Sequence, residues 1–223
     1  MNRAVDIYCE RLGPGLWAEP LNALTNLAFI LAGILLVVAL RRAEPAVRGD
    51  AGVLALTALV FVIGFGSGLF HTVATAWAGL ADVVPIALFI LLYLFLALRR
   101  FVTLPLWACG LGVAAMLLLT VVLPLTLHIG LSSYGAALAA LLLVGGFLQF
   151  GRRHPAGPRL LVAGGLFALS LAFRTADAPL CNALPIGTHF LWHVFNAAVL
   201  YSLVRTMMAH GMRPQAGDGR RGA

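Results

Sequence analysis

The sequence predicts an all-α membrane protein in which seven helices cross the bilayer as one bundle. Of its 223 residues, 61% are hydrophobic and only 10% are charged, and the mean hydropathy is +0.98. A soluble domain is about 45–50% apolar and about 25% charged. A span with its connection needs roughly 30 residues, so seven spans fill the chain. We therefore predict one domain, residues 1–223, with no separate soluble part.

Seven apolar stretches follow one another along the chain, each long enough or nearly long enough to cross a bilayer. They cover residues 21–40, 52–70, 82–98, 104–123, 131–150, 159–172 and 186–203. The connections between them read ARRAEPAVRGD, HTVATAWAGLA, RRFVT, PLTLHIG, GRRHPAGPR and FRTADAPLCNALP, and their Pro and Gly residues favour turns. Residues 1–20 form a segment before the first span, and the polar residues 208–223 predict a flexible tail.

The arginines predict how the bundle is oriented in the membrane. Twelve of them lie in the first, third and fifth connections or near the C-terminus: Arg41, Arg42, Arg48, Arg99, Arg100, Arg152, Arg153, Arg159, Arg205, Arg213, Arg220 and Arg221. The N-terminal segment and the even connections hold only Arg3, Arg11 and Arg174. Basic residues concentrate in cytoplasmic loops, so the C-terminus is predicted inside and the N-terminus outside, which requires an odd number of spans.

The net charge of +7 comes from 15 basic residues, all of them arginine, against eight acids. Because orientation in the membrane explains this excess, no nucleic-acid partner is expected, and no protein partner is evident. The Arg-rich, Lys-free composition favours a bacterial host, hence the bacterial inner membrane. Five acids fall on the predicted outer side, namely Asp6, Glu10, Glu19, Asp82 and Asp177, and a cation site there is one explanation.

Ionisable residues inside or at the ends of spans are costly, and they indicate function. Ser67 and His71 are four residues apart at the outer end of the second span, so they share a helix face. Asp82 opens the third span. His189 and His193 open the seventh, again four apart, as in helical pairs that bind one metal ion. The alternating direction of the spans brings His71, Asp82, His189 and His193 to the same outer level, with Ser67 one turn below His71.

Three histidines with a fourth position open to water are the usual catalytic zinc arrangement. We therefore predict zinc at His71, His189 and His193. Asp82 would orient the water or accept its proton, and Ser67 would donate a hydrogen bond to the developing oxyanion. Taken singly, each histidine is better explained as an interfacial residue, and Ser67 could equally bond to its own helix backbone. His128, His154 and His210 are interpreted as solvated.

Three other functions compete with zinc hydrolysis. An intramembrane serine protease would use Ser67 with a histidine on a later helix, but it leaves Asp82 and a third histidine unexplained. A haem-binding electron carrier needs histidines on facing helices, whereas His189 and His193 share one face. A receptor or transporter with a structural metal remains open.

The N-terminal segment carries two further acids and a cysteine. Glu10 and Glu19 lie just before the first span, where carboxylates would suit calcium or simply be solvated. Cys9 and Cys181 are both predicted outside, where disulfides persist. Cys109 lies within the fourth span and is interpreted as a small packing residue.

The ordered set of motifs resembles the alkaline ceramidases, members of a transmembrane hydrolase superfamily that includes the adiponectin receptors. The matching pieces are YCE…WAEPLNALTN, Ser67-x-x-x-His71, Asp82 eleven residues further on, and His189-x-x-x-His193. The resemblance extends from about residue 8 to residue 205.

The resemblance implies a seven-helix bundle that hydrolyses ceramide, or a related lipid amide in the membrane, to a sphingoid base and a fatty acid. It implies zinc at the three histidines, catalytic roles for Asp82 and Ser67, and a Cys9–Cys181 disulfide. It also implies calcium at Glu10 and Glu19. Departures fall in that calcium segment, where Ile7 and Leu12 stand at positions that are acidic or polar in the family and the linker between the glutamates is shorter.

Overall fold

A computed structural model describes residues 1–13, 15–127 and 134–211 of the chain. Its regular secondary structure is helical throughout this described part, apart from an isolated bridge between Ala4 and Thr75. The all-α prediction is therefore confirmed. His128 and residues 212–223 of the predicted tail lie outside the described residues, whereas residues 208–210 belong to the last helix.

The helices follow the predicted stretches in order. They are α1 (Pro20–Thr25), α2 (Leu27–Arg41), α3 (Pro45–Arg48), α4 (Ala51–Val73), α5 (Ala76–Arg100), α6 (Leu106–Leu127), α7 (Tyr134–Gly146), α8 (Ala156–Leu180) and α9 (His189–His210). A π-helical turn, Phe147–Gly151, continues α7. Helix α1 runs into α2 with only Asn26 between them, so the two form one apolar unit.

Five helical units are long and apolar enough to cross a membrane, which makes the chain an integral membrane protein. They are Pro20–Arg41, Ala51–Val73, Ala76–Arg100, Tyr134–Gly151 and Ala156–Leu180. Helix α6 has a shorter apolar stretch, Leu106–Thr120, in its described part, and α9 carries His189, His193 and Asn196 among its apolar residues. The count of seven spans and their orientation stay predictions.

Helix α9 lies inside the bundle, where it packs against α1, α2, α4 and α8. Its buried apolar residues join one core with those of α2, α4, α5 and α8. Large apolar side chains also cover the outer surface, among them Phe65, Leu111 and Phe150, which are 67%, 62% and 80% exposed. Surface apolar residues in this number suit contact with lipid rather than water.

Two of the helix boundaries that differ from the sequence prediction change the placement of residues near the predicted site. Helix α5 begins at Ala76, because the carbonyl of Arg3 in the N-terminal segment accepts the Ala76 N–H at 3.0 Å. Asp82 therefore lies more than one turn inside α5 and does not open it. Helix α8 extends to Leu180, well beyond residue 172, because the polar residues that resembled a connection have partners inside the protein.

Glycine allows α4 and α5 to approach each other closely beside the predicted catalytic residues. A Cβ atom on Gly66 would collide with the backbone carbonyl of Ala81. Gly66 precedes Ser67, and Ala81 precedes Asp82. The close contact between the two backbones therefore sets the short separation between the Ser67 and Asp82 side chains.

The N-terminal segment is fixed to the same end of the bundle by hydrogen bonds and a covalent link. The Val5 N–H donates to the carbonyl of Ala74 at 2.8 Å, at the turn between α4 and α5. Cys9 forms a disulfide with Cys181, with their Cα atoms 5.1 Å apart. The expected pairing is confirmed.

The Asp177 carboxylate holds together the start of α9 and the N-terminal segment. It is 2% exposed, and its oxygens accept the N–H groups of Thr188 at 2.6 Å, His189 at 2.9 Å and Cys9 at 3.1 Å. Such a cap satisfies N–H groups that the first turn of a helix leaves unpaired. Asp177 was expected to be a free outer acid and possible cation ligand; its carboxylate instead binds backbone.

We expect Asp177→Ala to destabilise the protein by about 1–3 kcal/mol, because buried N–H groups lose their acceptor. Asp177→Asn should cost less, since its carbonyl oxygen still accepts from Thr188 and His189 while its amide meets the Cys9 N–H. Thermal unfolding of the purified protein, with exposed Glu44→Ala as the control, measures this. Equal stability of the Ala and native proteins would contradict the capping role.

Candidate metal centre

Three histidines converge at the end of the bundle where α4 ends and α9 begins, which we call the histidine end. His71 lies in the last turn of α4, and His189 and His193 lie in the first two turns of α9. Their exposures are 0%, 1% and 1%. One ring nitrogen from each lies within 4.8 Å of the others. The three side chains can therefore hold a single metal ion, as their spacing and helix directions predict.

Each of these rings carries a buried nitrogen that has no hydrogen-bond partner in the described part of the chain. These atoms are His71 Nε2, His189 Nδ1 and His193 Nε2. Leaving a buried polar atom unpaired is costly, and three together need a shared explanation. A metal ion accepts a lone pair from each ring, so this donor set fits zinc, although imidazole nitrogens also suit other transition metals.

In two of the rings, the second nitrogen contacts a partner that determines whether this nitrogen carries a proton. His71 Nδ1 lies 2.5 Å from Glu19 Oε2, and an ionised carboxylate only accepts. His193 Nδ1 lies 2.9 Å from Thr25 Oγ1, whose hydroxyl donates to the Leu21 carbonyl at 2.8 Å. Both Nδ1 atoms therefore carry the proton, and both Nε2 atoms present a lone pair. Outer partners of this kind orient metal-binding histidines.

Ser67 and Asp82 form a pair next to the histidines. The Ser67 hydroxyl lies beside the Asp82 carboxylate, and His71 is close to the same carboxylate. Ser67 is 3% exposed, whereas Asp82 is only partly buried. The two side chains thus meet where α4 and α5 are in contact, and a partly accessible carboxylate lies beside His71.

The carboxylates of Glu10 and Glu19 both have hydrogen-bond partners within the protein. Glu10 accepts the N–H groups of Leu21 at 2.6 Å and Asn22 at 2.8 Å, so it caps α1. Glu19 is 2% exposed and bonds to His71, Arg11 and Asn22. Within residues 1–13, 15–127 and 134–211, the three histidines are the only group of three or more potential ligand side chains that could hold one metal ion. These contacts give the predicted calcium site no support.

The surroundings of Glu19 favour its charged form. Burial by itself would raise the pKa of this carboxyl, but hydrogen bonds from His71, Arg11 and Asn22 outweigh burial and lower the pKa. Glu19 therefore remains an acceptor for His71 Nδ1 at neutral pH.

A group of aromatic rings and one arginine closes the other side of the site. The Tyr8 ring stacks on His189 with centroids 3.7 Å apart, and its hydroxyl accepts from Arg174 Nη1 at 2.9 Å. Arg174 Cζ lies 5.3 Å from the Tyr134 ring centre and 5.4 Å from that of Trp192. Burial raises the pKa of the Tyr8 phenol, against the opposing effect of Arg174, so the hydroxyl stays neutral.

Sequence reasoning missed these neighbours of the site. Arg174 was interpreted as part of an outer connection, and neither Tyr8 nor Trp192 was placed at the site. The signal was present in part: Trp192 adjoins His193, and Tyr8 adjoins Cys9. An arginine that follows an apolar run and faces the bundle interior is itself a functional marker.

The geometry disfavours two of the competing functions. Among the described residues the Ser67 hydroxyl makes no hydrogen bond to a histidine, since the ring bonds of His71 and His193 go to Glu19 and Thr25, whereas a serine nucleophile with a histidine base needs that base within hydrogen-bonding reach. The His193 ring centre lies 4.7 Å from the ring centres of both His71 and His189. Tyr8 covers His189, so no flat space for a porphyrin remains among these rings.

Fold and site together define the class: an integral membrane protein of α-helices with a buried three-histidine cluster that can bind a metal ion. No protein-family model matches the chain, and no curated protein matches it. The resemblance to alkaline ceramidases thus rests on the motifs themselves.

Proposed function

We propose that the protein is a zinc-dependent hydrolase that cleaves the amide bond of ceramide, or of a closely related lipid amide, to a sphingoid base and a free fatty acid. The observation that carries this proposal is the meeting of three buried imidazole nitrogens, which have no hydrogen-bond partner among the described residues, close to Ser67 and Asp82. A purely structural metal site has no need of a partly accessible carboxylate next to its ligands.

The residues around the site suit the steps of amide hydrolysis. Zinc bound to the three histidines supplies a Lewis acid that activates water and polarises a carbonyl group. Asp82 takes a proton from the water while the water oxygen bonds to the carbonyl carbon. Ser67 donates a hydrogen bond to the carbonyl oxygen as negative charge develops there. Asp82 then gives the proton to the nitrogen as the C–N bond breaks, leaving an amine and a carboxylic acid.

An apolar cavity next to the histidine end supports a lipid substrate. Residues of five helices, α5 to α9, line it, and most are apolar: Phe89, Met116, Leu141, Phe167 and Leu203 are among them. Tyr134 and Asn196 are among its few polar residues. Tyr134 also contacts Arg174 and Trp192, so the cavity adjoins the group of residues around the site. A hydrocarbon chain would fill such a space, with its amide near the histidines.

We further propose that the site faces the extracytosolic side, which in a bacterial host is the periplasm. The distribution of arginines favours this orientation. The Cys9–Cys181 disulfide at the histidine end supports it, because such bonds persist in oxidising compartments.

The purified full-length protein in lipid nanodiscs tests the proposal. We expect about one zinc per chain by elemental analysis and release of fatty acid from ceramide, measured by mass spectrometry across a panel of lipid amides. Removal of zinc with a chelator should abolish release, and added zinc should restore it.

Other results would point to the alternatives. Zinc without hydrolysis of any lipid amide would favour a receptor or transporter with a structural metal. Activity that survives complete zinc removal, with labelling of Ser67 by a serine-reactive phosphonate, would indicate a serine enzyme. A Soret absorption band would indicate haem.

A further inference from the structure

A buried arginine occupies the place where calcium was expected. Arg11 follows Glu10 directly in the chain and is only 7% exposed. We infer that its guanidinium is a built-in cation that positions His71 through Glu19, so that the metal centre needs no calcium. This inference rests on the proposed zinc site, but not on the reaction.

The guanidinium contacts both the ligand His71 and the carboxylate that holds it. Nε donates to Glu19 Oε1 at 2.5 Å, and Nη2 donates to the backbone carbonyl of His71 at 3.2 Å. Nη1 donates to the Gly13 carbonyl at 3.1 Å. The other Glu19 oxygen accepts from His71 Nδ1. Arg11 and Glu19 thus form a clamp on His71, with one contact to its backbone and one to its ring.

Charge explains why a cation is required at this position. A carboxylate buried as deeply as Glu19 is strongly disfavoured unless an opposite charge and hydrogen bonds compensate it. Among the described residues, Arg11 is its partner of fixed positive charge; Asn22 adds only a neutral donor at 3.2 Å. Without the guanidinium, Glu19 would lose its bond from Arg11 Nε and turn towards solvent, which weakens its hold on His71 Nδ1.

The oxygens near Arg11 do not fit calcium. Calcium takes six to eight oxygen ligands at about 2.3–2.6 Å. Here both Glu10 oxygens accept backbone N–H groups, and the Glu19 oxygens and the Gly13 carbonyl accept from Arg11, His71 and Asn22. The guanidinium is planar and can donate hydrogen bonds to several oxygens at once, so it compensates the Glu19 charge without a dissociable ion. The residues present therefore do not fit the calcium site that the resemblance implies.

The test measures zinc affinity, which is independent of hydrolysis. The full-length protein is freed of calcium and titrated with zinc against a chromophoric competitor, with and without millimolar calcium. We expect native affinity to be the same in both conditions. Arg11→Gln should lower it about 10–100-fold, and Arg11→Lys should lower it less, because lysine keeps the charge but not the fork. Arg3→Gln, at an exposed arginine in the same segment, should leave it unchanged.

Two further measurements separate positioning from loss of fold. Arg11→Gln added to Glu19→Gln should weaken zinc binding by less than the two single changes combined, because Arg11 and Glu19 act on His71 as one unit. In protein loaded with Co²⁺ in place of zinc, Arg11→Gln should change the visible spectrum of the ion, and Arg3→Gln should not.

The outcomes are distinct from those that test the reaction. If the native protein bound zinc more tightly when calcium is added, the inference would be overturned. It would also be overturned if Arg11→Gln bound zinc as tightly as the native protein and left the Co²⁺ spectrum unchanged. If Arg11→Gln does not fold, an Arg11→Lys protein whose zinc affinity is the same with and without calcium still supports a built-in cation, and a calcium requirement in that variant overturns it. Failure to hydrolyse lipid amides would refute the proposed function and leave this inference standing.

Discussion

Replacing His193 with alanine is expected to abolish zinc binding at micromolar zinc and to reduce lipid-amide hydrolysis to background. The substitution removes one of three ligands from a fully buried site and leaves two imidazoles, which hold zinc far more weakly. It also frees the Thr25 hydroxyl, which His193 Nδ1 now contacts at 2.9 Å. Elemental analysis and fatty-acid release on the same preparation measure both losses.

The same helix offers a matched control. His210 closes α9, and at 1.5 Å rise per residue it lies about 26 Å from His193 along the helix. His210→Ala should therefore keep native zinc content and activity, and so show that losing a histidine from α9 is harmless in itself. Full activity in His193→Ala would refute the metal-centre assignment, whatever the control shows.

Replacing Asp82 with asparagine is expected to separate zinc binding from turnover. Asp82 is not one of the three converging ligands, so zinc content should stay native. The amide cannot accept a proton from water, and loss of a positioned acid–base group typically costs about 10²–10⁴-fold in rate. The measurement is kcat for ceramide hydrolysis at saturating substrate, with zinc content determined on the same sample.

Asp6→Asn provides the control for this change, because Asp6 is exposed in the N-terminal segment. It should keep native kcat. Loss of zinc from Asp82→Asn would make Asp82 part of the metal site rather than its acid–base group. Native kcat in Asp82→Asn would exclude the acid–base role altogether.

The histidine cluster was predictable because its geometry follows from helix periodicity and direction. His189 and His193 share a face at a spacing of four, and His71 meets them because α4 and α9 place their opposite termini at one end of the bundle. The Cys9–Cys181 disulfide was expected from the resemblance. The spacing of residues within helices and the alternating direction of the helices were therefore enough to predict the three ligands of the site.

The contacts around the ligands could not be predicted in the same way, because they depend on how an irregular segment folds back. Nothing in the spacing of Glu19 and Arg11 indicates that both reach His71, 52 and 60 residues away. Polar residues in FRTADAP resembled a connection, yet they continue α8 since Asp177 binds the N–H groups that open α9. Tertiary partners overrode the local pattern in both places.

The disulfide turns most of the chain into a covalent ring, closed across a separation of 172 residues. His71 belongs to that ring, whereas His189 and His193 sit on the arm that leaves it after Cys181. A bound ion would fasten the arm back onto the ring a second time. Reduction of the disulfide would remove one of these links, and chelation of the ion would remove the other. With both removed, side-chain packing and hydrogen bonds such as those of Asp177 and Thr25 would hold α9 in the bundle.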